Sequence, residues 1–297
     1  MLRLAIPNGS LEEGTFRLFE QASLPIKRRG ARDYRLSIYD PRIEEVFPLR
    51  PREVAEYISE GEFDLGITGY DWIVETRANV KDVLDLQFSR GGFRKVKIVL
   101  ATDNSNPVND VNDISVEDKV ATEYPNITKS YFDRIGKGRI RKRVSFGATE
   151  IKVPRLAKYL VDVTETGETL RQNSKKILAT IMESSTKLIA NPDSLKDEQK
   201  RQEIEEIKSL IAGALDARDK ILIKMNVPSD SVDSVVNYLP SMRAPTISQL
   251  AKRTGDDQVW FALESVVVAS GLNIVIPELK KLGAVDILEI DISKMIP

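Results

Sequence analysis

The sequence predicts an α/β protein in two unlike parts, a long region on a largely parallel sheet and a shorter module after it. Three observations predict it. Segments of strand and helix character alternate from Leu2 to Met182, the pattern of parallel strands joined by crossover helices. A charge-rich run, Ser194–Lys220, then carries Ile204, Ile207, Leu210, Ile211 and Leu215 at helical spacing and reads as one solvated helix joining two parts. Beyond it the order becomes strand, helix, strand, strand, helix, strand, the split βαβ or ferredoxin-like module.

Each element has its own signal. Leu2–Ile6 reads as a buried strand closed by the turn Pro7-Asn8-Gly9. Ser10 and Glu13 have capping-box spacing, and Leu11, Phe16, Leu18 and Phe19 supply an apolar helical face. Arg50–Glu60 reads as a helix with Pro51 in its first turn. "FDLGITGYDWI" predicts a short strand and a glycine-broken loop, and Leu84, Leu86 and Val96–Ala101 predict further strands. "DKVATEYPNITKSYFDRIG" reads as strand, loop and helix; "RLAKYLVDV" leads into a polar loop, and "ETLRQNSKKILATIM" is the helix after it. In the second part "KILIKMNVP" is a strand, and "SDSVDSVVNYL" a helix capped by Ser229 or Asp230. "APTISQLA" and "QVWFALESVVVA" are two strands. "LNIVIPELKKLGA" is a helix starting near Pro277 and ending at Gly283, and "VDILEIDI" is the last strand.

Composition narrows the chemistry. Forty-four basic and 45 acidic residues leave a net charge of −1, so nothing pulls the chain toward nucleic acid or an anionic membrane. There is no cysteine and no histidine. That removes disulfides, thiolate nucleophiles, the commonest general base and the commonest transition-metal ligand. Carboxylates, Lys, Arg, hydroxyls, backbone amides and a hard cation remain. No apolar run approaches the roughly 18 residues of a membrane span, and the N-terminus is too short and strand-like for a signal peptide. A reducing cytoplasm suits such a chain.

One stretch is too polar for core and too patterned for linker: "VDVTETGETLRQNS", Val161–Ser174. Strand, Thr-Gly-x-Thr loop and helix start together make an anion cradle. Gly167 lets the backbone approach an oxyanion, the amides of Thr166 to Leu170 donate, Thr166 and Thr169 add hydroxyls, and the helix dipole helps. Asp162 and Glu165 suit ribose hydroxyls, or a cation held through water. The competing reading is a capped helix with acids in its first turn. Elsewhere Arg50 and Arg52 either clamp phosphate as planar donors or are solvated at a helix start. Gly66, Thr68, Gly69 and Asp71 end a strand, as a site loop or a plain turn. Tyr124 stacks on a base or packs, and Glu150 alone reads as an exposed charge.

These residues lie in segments that resemble the long form of the ATP phosphoribosyltransferase family. The resemblance runs from "LRLAIPNGSLEEGTF" through "FPLRPREVAEYISEGEFDLGITGYDWIVE", "ATEYPNITKSYF", "GATEIKVPRLAKYLVDVTETGETLRQN" and "ESSTKLIAN" to "RAPTISQLA" and "KKLGAVDILEIDI". It implies condensation of ATP with phosphoribosyl pyrophosphate to N1-(5-phosphoribosyl)-ATP and pyrophosphate, opening histidine biosynthesis, with Mg²⁺ held mainly by substrate phosphates. By that resemblance Asp162, Val163, Thr164, Glu165, Thr166, Gly167, Glu168, Thr169 and Leu170 bind phosphoribosyl pyrophosphate. Asp162, Glu165 and Glu150 are the catalytic candidates, and Arg50, Arg52, Gly69, Asp71 and Tyr124 are assigned to the ATP cleft. Many relatives carry basic residues in the first loop, where Pro7-Asn8-Gly9-Ser10 has none.

The resemblance also implies a two-lobed, periplasmic-binding-protein-like catalytic region plus a C-terminal ferredoxin-like (βαββαβ) regulatory domain. Residues 1–93 form lobe I, 190–218 return to it, 94–189 form lobe II and 219–297 the regulatory domain. Such lobes suggest hinge closure on substrates. Histidine is the implied feedback inhibitor, at Met242, Ala244 and Thr246, with Asn226 and Ala284; a family aspartate often stands where Asn226 does. A homo-oligomer, dimer to hexamer, is implied. The alternative is a two-lobed small-molecule binding or amino-acid-sensing protein without catalysis, against whose export the missing signal peptide argues.

Overall fold

The structure is a computed structural model, and it describes residues 1–28, 30, 35–88, 95–251 and 258–296. The chain divides into two compact units, Met1–Ser209 and Leu210–Pro297. Among the described residues no helix is long and apolar enough to cross a membrane.

The first unit holds two sheets. Into the first go β1 (Leu2–Pro7), β2 (Lys27–Arg28), β3 (Leu36–Ser37), β4 (Ile43–Leu49), β5 (Leu65–Gly69), β6 (Lys81–Asp85) and β12 (Thr186–Ala190), in the order β2-β3-β4-β1-β5-β12-β6. The second is made of β7 (Val96–Asp103), β8 (Lys119–Thr122), β9 (Arg141–Val144), β10 (Tyr159–Thr164) and β11 (Lys175–Ser184), ordered β11-β7-β10-β8-β9. Among the described residues, parallel pairing is confined to β4-β1-β5 and β10-β8-β9. β7 and β12, the strands that follow each crossing between sheets, run antiparallel to their neighbours. The sheets are therefore mixed, where alternation alone predicted largely parallel ones. The return to the first sheet comes at Ser185, not at residue 190. Central parallel strands are covered on both faces: Leu2, Leu4, Ala5 and Ile6 are fully buried, and all five residues of β5 are buried.

The helices are α1 (Glu12–Gln21), α2 (Pro51–Glu60), α3 (Tyr70–Thr76), α4 (Pro125–Arg134), α5 (Glu168–Gln172) and α6 (Glu198–Asp216). The capping box at Ser10 and Glu13 does not form. Residues 9–11 make a 3₁₀ turn, Glu13 pairs with Arg17 at 2.8 Å one turn on, and Glu12 with Arg28. The glycine-broken loop is absent too: Gly69 is extended (φ −75°) and leads from β5 straight into α3. The long helix expected over 168–182 stops at Gln172, Ser174 turns left-handed (φ 56°), and Lys175–Ser184 is β11. Register shifts at 177–179 and 180–182 break the two-residue alternation of this strand. That spaces its apolar residues as a helix would. α6 is not solvated all round, since Ile204, Ile207 and Ile211 on one face are fully buried. Its lead-in is pinned by buried Asp64, which accepts from Ser194 Oγ at 2.7 Å, Lys200 Nζ at 2.7 Å and Arg3 N–H at 2.8 Å.

The second unit is the predicted ferredoxin-like module: β13 (Lys220–Pro228), α7 (Val232–Tyr238), β14 (Thr246–Gln249), β15 (Trp260–Val268), α8 (Leu272–Lys281) and β16 (Val285–Asp291). Its antiparallel order is β14-β15-β13-β16. Ile221, Ile223, Met225 and Val227 alternate into the core with Val235, Leu272 and Leu279. Two predicted helix starts are corrected. α7 begins after Ser231, without a side-chain cap, and α8 begins after Gly271 with Pro277 inside it. The apolar stripe of Leu272, Val275, Ile276 and Leu279 packs on the core and holds that helix through the proline.

Candidate active site

The pocket forms where β8 and β10, parallel neighbours, end. It encloses about 440 Å³ and is lined by residues 162–166 and 168–170, by Glu123 after β8, and by Gly147, Ala148 and Glu150. Thus the polar segment and Glu150, a dozen residues before it, meet in one place. Gly167 is left-handed (φ 81°), a conformation that favours glycine. Its N–H donates to Thr164 Oγ1 at 2.9 Å, and Glu168 N–H to Thr166 Oγ1 at 3.3 Å. Arg171 N–H to Gly167 O, 3.0 Å, opens α5. Thr169 and Leu170 lie in the first turn, where amides have no intrahelical acceptor. The loop therefore occupies two of its own amides with hydroxyls, and a five-residue helix supplies only a small dipole.

The wall is acidic. Glu123, Glu150, Asp162, Glu165 and Glu168 line it, with no lysine or arginine among the lining residues. Glu168 is paired with Arg171 at 2.7 Å, and Glu123 accepts from Gly147 N–H at 2.6 Å. Sequence reasoning missed Glu123, whose only signal was its place beside Tyr124 after a strand.

Residues assigned to the cleft sit differently. Tyr124 is fully buried, its hydroxyl donates to Asp71 Oδ2 at 2.9 Å, and its ring lies 4.7 Å from that of Trp72. Asp71 Oδ1 accepts from Ser184 Oγ at 2.6 Å. Tyr124 therefore packs, and no base stacks on it in this conformation. Gly69 and Asp71 border a cavity of about 30 Å³ with Ser10, Pro51 and Ser184. Val96 and Val163 line both spaces, so the two adjoin. Arg50 is exposed at the start of α2, its N–H on Glu53 Oε2 at 2.9 Å. Its guanidinium lies 3.6 Å from where a Cβ on Gly9 would sit, so Arg50 brings a cation to the first loop, which has none. Arg52 pairs with Glu56 at 3.0 Å on the exposed helix face.

On the same helix as Asp71 a second buried acid was not anticipated. Glu75 of α3 accepts from Asn126 N–H at 2.9 Å and Ile127 N–H at 2.9 Å, capping α4. Burial pushes its carboxyl up, and the two N–H bonds and the charges of Arg52 and Arg77 only partly oppose that. Nothing in the sequence signals a cap supplied from 50 residues away.

The histidine candidates divide within the second unit. Met242, Ala244 and Thr246 lie alongside β15 on the β14 edge: Met242 N–H donates to Val266 O at 3.1 Å, and Thr246 pairs with Glu264. Asn226 is on β13 and donates to Asp286 Oδ2 at 2.9 Å, and buried Ala284 leads into β16, the opposite edge. Three strand spacings, about 14 Å, separate the edges.

Comparison with known proteins places the chain in a family. Residues 50–213 match the family described as ATP phosphoribosyltransferase, and residues 217–294 that family's C-terminal domain. An ATP phosphoribosyltransferase of Chlorobaculum parvum is 42% identical over 296 residues, covering 100% of this chain and 98% of the relative. One from Chlorobium luteolum is 43% identical with the same coverage. Among solved structures, the ATP phosphoribosyl transferase (HisG:HisZ) complex from Thermotoga maritima superposes with a TM-score of 0.57 at 26% identity, covering 70% of this chain and 98% of that one.

Proposed function

The chain belongs to the ATP phosphoribosyltransferase family, and from that membership we propose that it transfers the 5-phosphoribosyl group of phosphoribosyl pyrophosphate to N1 of ATP, releasing pyrophosphate. This is a transferase of histidine biosynthesis. The reading is carried by one observation: the 162–170 segment and Glu150 share a pocket of about 440 Å³.

The chemistry suits a chain without histidine. Adenine N1 bears no proton near neutral pH, so attack on the ribose anomeric carbon needs no general base. As the new C–N bond forms and the bond to pyrophosphate breaks, positive charge grows on the ribose ring. Carboxylates of Asp162, Glu165 and Glu150 on the wall favour that charge, and Asp162 and Glu165 accept from ribose hydroxyls. The sugar's 5-phosphate takes the amides about Gly167, displacing the hydroxyls of Thr164 and Thr166 from them.

A wall of carboxylates repels bare pyrophosphate. Among the described residues no three acids converge closely enough to chelate an ion. These residues fit Mg²⁺ that arrives on phosphate oxygens and is touched by the protein through water. Such an ion would supply charge neutralisation on the leaving group. Arg50, over the first loop, is the cation placed to meet ATP phosphates. A cytoplasmic homo-oligomer inhibited by histidine completes the proposal.

The test is a coupled assay with ATP, phosphoribosyl pyrophosphate and Mg²⁺. Pyrophosphate and phosphoribosyl-ATP should appear in equal amounts. Binding of both substrates with no product would leave the non-catalytic binding protein instead.

A further inference from the structure

The turn that carries Gly147, Ala148 and Glu150 to the pocket wall is held by a clamp. Gly147 and Ala148 are both left-handed, φ 79° and 45°, and the second is not a glycine. A non-glycine residue is strained there unless its surroundings enforce the conformation. Four groups enforce it. Gly147 N–H is taken by Glu123 at 2.6 Å, and Gly147 O accepts from Lys152 Nζ at 3.0 Å. The same ammonium donates to Ser145 Oγ, which lies 2.9 Å from Thr149 Oγ1. Ser145 and Thr149 are both buried, and Ser145 N–H is fixed on Thr122 O at 2.8 Å. The Gly147 peptide is thus gripped at both ends, by an acid on the pocket side and by Lys152, which does not line the pocket.

We infer that Lys152 is a positioning residue for the transfer reaction: its ammonium fixes the Gly147–Ala148 turn, and so the place of the Glu150 carboxylate opposite the 162–170 loop. This rests on the reading of that pocket as the phosphoribosyl pyrophosphate site. Lys152 touches no substrate. Without it the Gly147 carbonyl and Ser145 hydroxyl lose their shared donor, Ala148 relaxes from its left-handed state, and the wall facing the sugar shifts. The cavity bordered by Gly69 and Asp71, proposed for ATP, contains none of these groups.

The inference separates the two substrates, and steady-state kinetics of the full-length chain test it. Lys152→Met should raise KM for phosphoribosyl pyrophosphate about tenfold, the worth of one charge-assisted hydrogen bond. KM for ATP should stay within about twofold, and the melting temperature within about 3 °C, for a partly exposed side chain. Lys152→Arg, which keeps the charge and the donor, should recover most of the loss. A Lys152→Met enzyme with both KM values unchanged overturns the inference. So does one in which both rise together while the melting temperature falls, since that describes a structural lysine. A parent protein with no turnover fails at the earlier step and overturns the proposed function, and this inference with it.

Discussion

At the scale of single residues, the position that mattered most announced itself locally. Gly167 was legible because a left-handed turn between a strand and a helix start selects glycine. Replacing it with aspartate places a carboxylate where the sugar phosphate is proposed to sit. A Cβ there would meet only Ile177 Cδ1, at 3.6 Å, and the left-handed strain costs about 1 kcal/mol. Gly167→Asp should therefore cut kcat/KM by at least about a hundredfold while the circular dichroism and melting curve stay near those of the parent. Full activity in this variant would refute the cradle. Asp103 makes a different point, about stability. Hydrogen bonds from the Ser105 side chain, Lys175 and the Ser105 amide hold its carboxyl at about 2, against an ordinary 3.8. Lys175 is 2.9 Å away and nearly buried. A depressed carboxyl contributes stability that is complete above its unfolded value and is lost as pH falls through its folded one. Asp103→Asn should cost about 1 kcal/mol at neutral pH, discounted for residual solvent. Denaturant titrations at pH 7 and near pH 2 should show the gap between variant and parent close in acid.

At the scale of elements, sequence periodicity placed most strands and helices and failed where tertiary structure overrode it. β11 read as helix because its bulges shift apolar residues off the two-residue period, and those bulges exist only against β7. α8 runs through Pro277 because its stripe is packed. Tyr124 and Asp71 were visible as chemistry-bearing residues, but their mutual hydrogen bond, between residues 53 apart, was not. The cap of α4 belongs here too. Glu75 satisfies N–H groups of Asn126 and Ile127 that the helix cannot. Glu75→Gln keeps one acceptor oxygen and sets an amide NH₂ against donors, so it should cost about 1–3 kcal/mol in urea unfolding. Burial raises the Glu75 carboxyl above its ordinary 4.5. The folded chain thus holds that proton more tightly than the unfolded one, and this group's contribution declines as pH rises from 4.5 through the folded value. In the glutamine variant that slope should vanish. If it persists, the titrating group is another.

At the scale of the whole molecule, the order β14-β15-β13-β16 bears on the proposed inhibition by histidine. Met242, Ala244 and Thr246 stand along one edge of the second unit, and Ala284 opens the other, about 14 Å away. Histidine is too small to touch both edges of one sheet. If all five residues serve one effector site, a second copy must bring its β16 edge to the β14 edge of the first, and binding must depend on assembly. Two measurements follow. Calorimetric titration with histidine should give heat at concentrations where sedimentation finds the oligomer, and none where it finds the monomer, as linkage between binding and association requires. Thr246→Trp, at an exposed edge position, should abolish inhibition and leave the uninhibited rate within about twofold, since it is a surface change at a residue that does not line the transfer pocket. A monomer that binds histidine as tightly as the oligomer would confine the effector to one edge, and Asn226 and Ala284 would then leave the site.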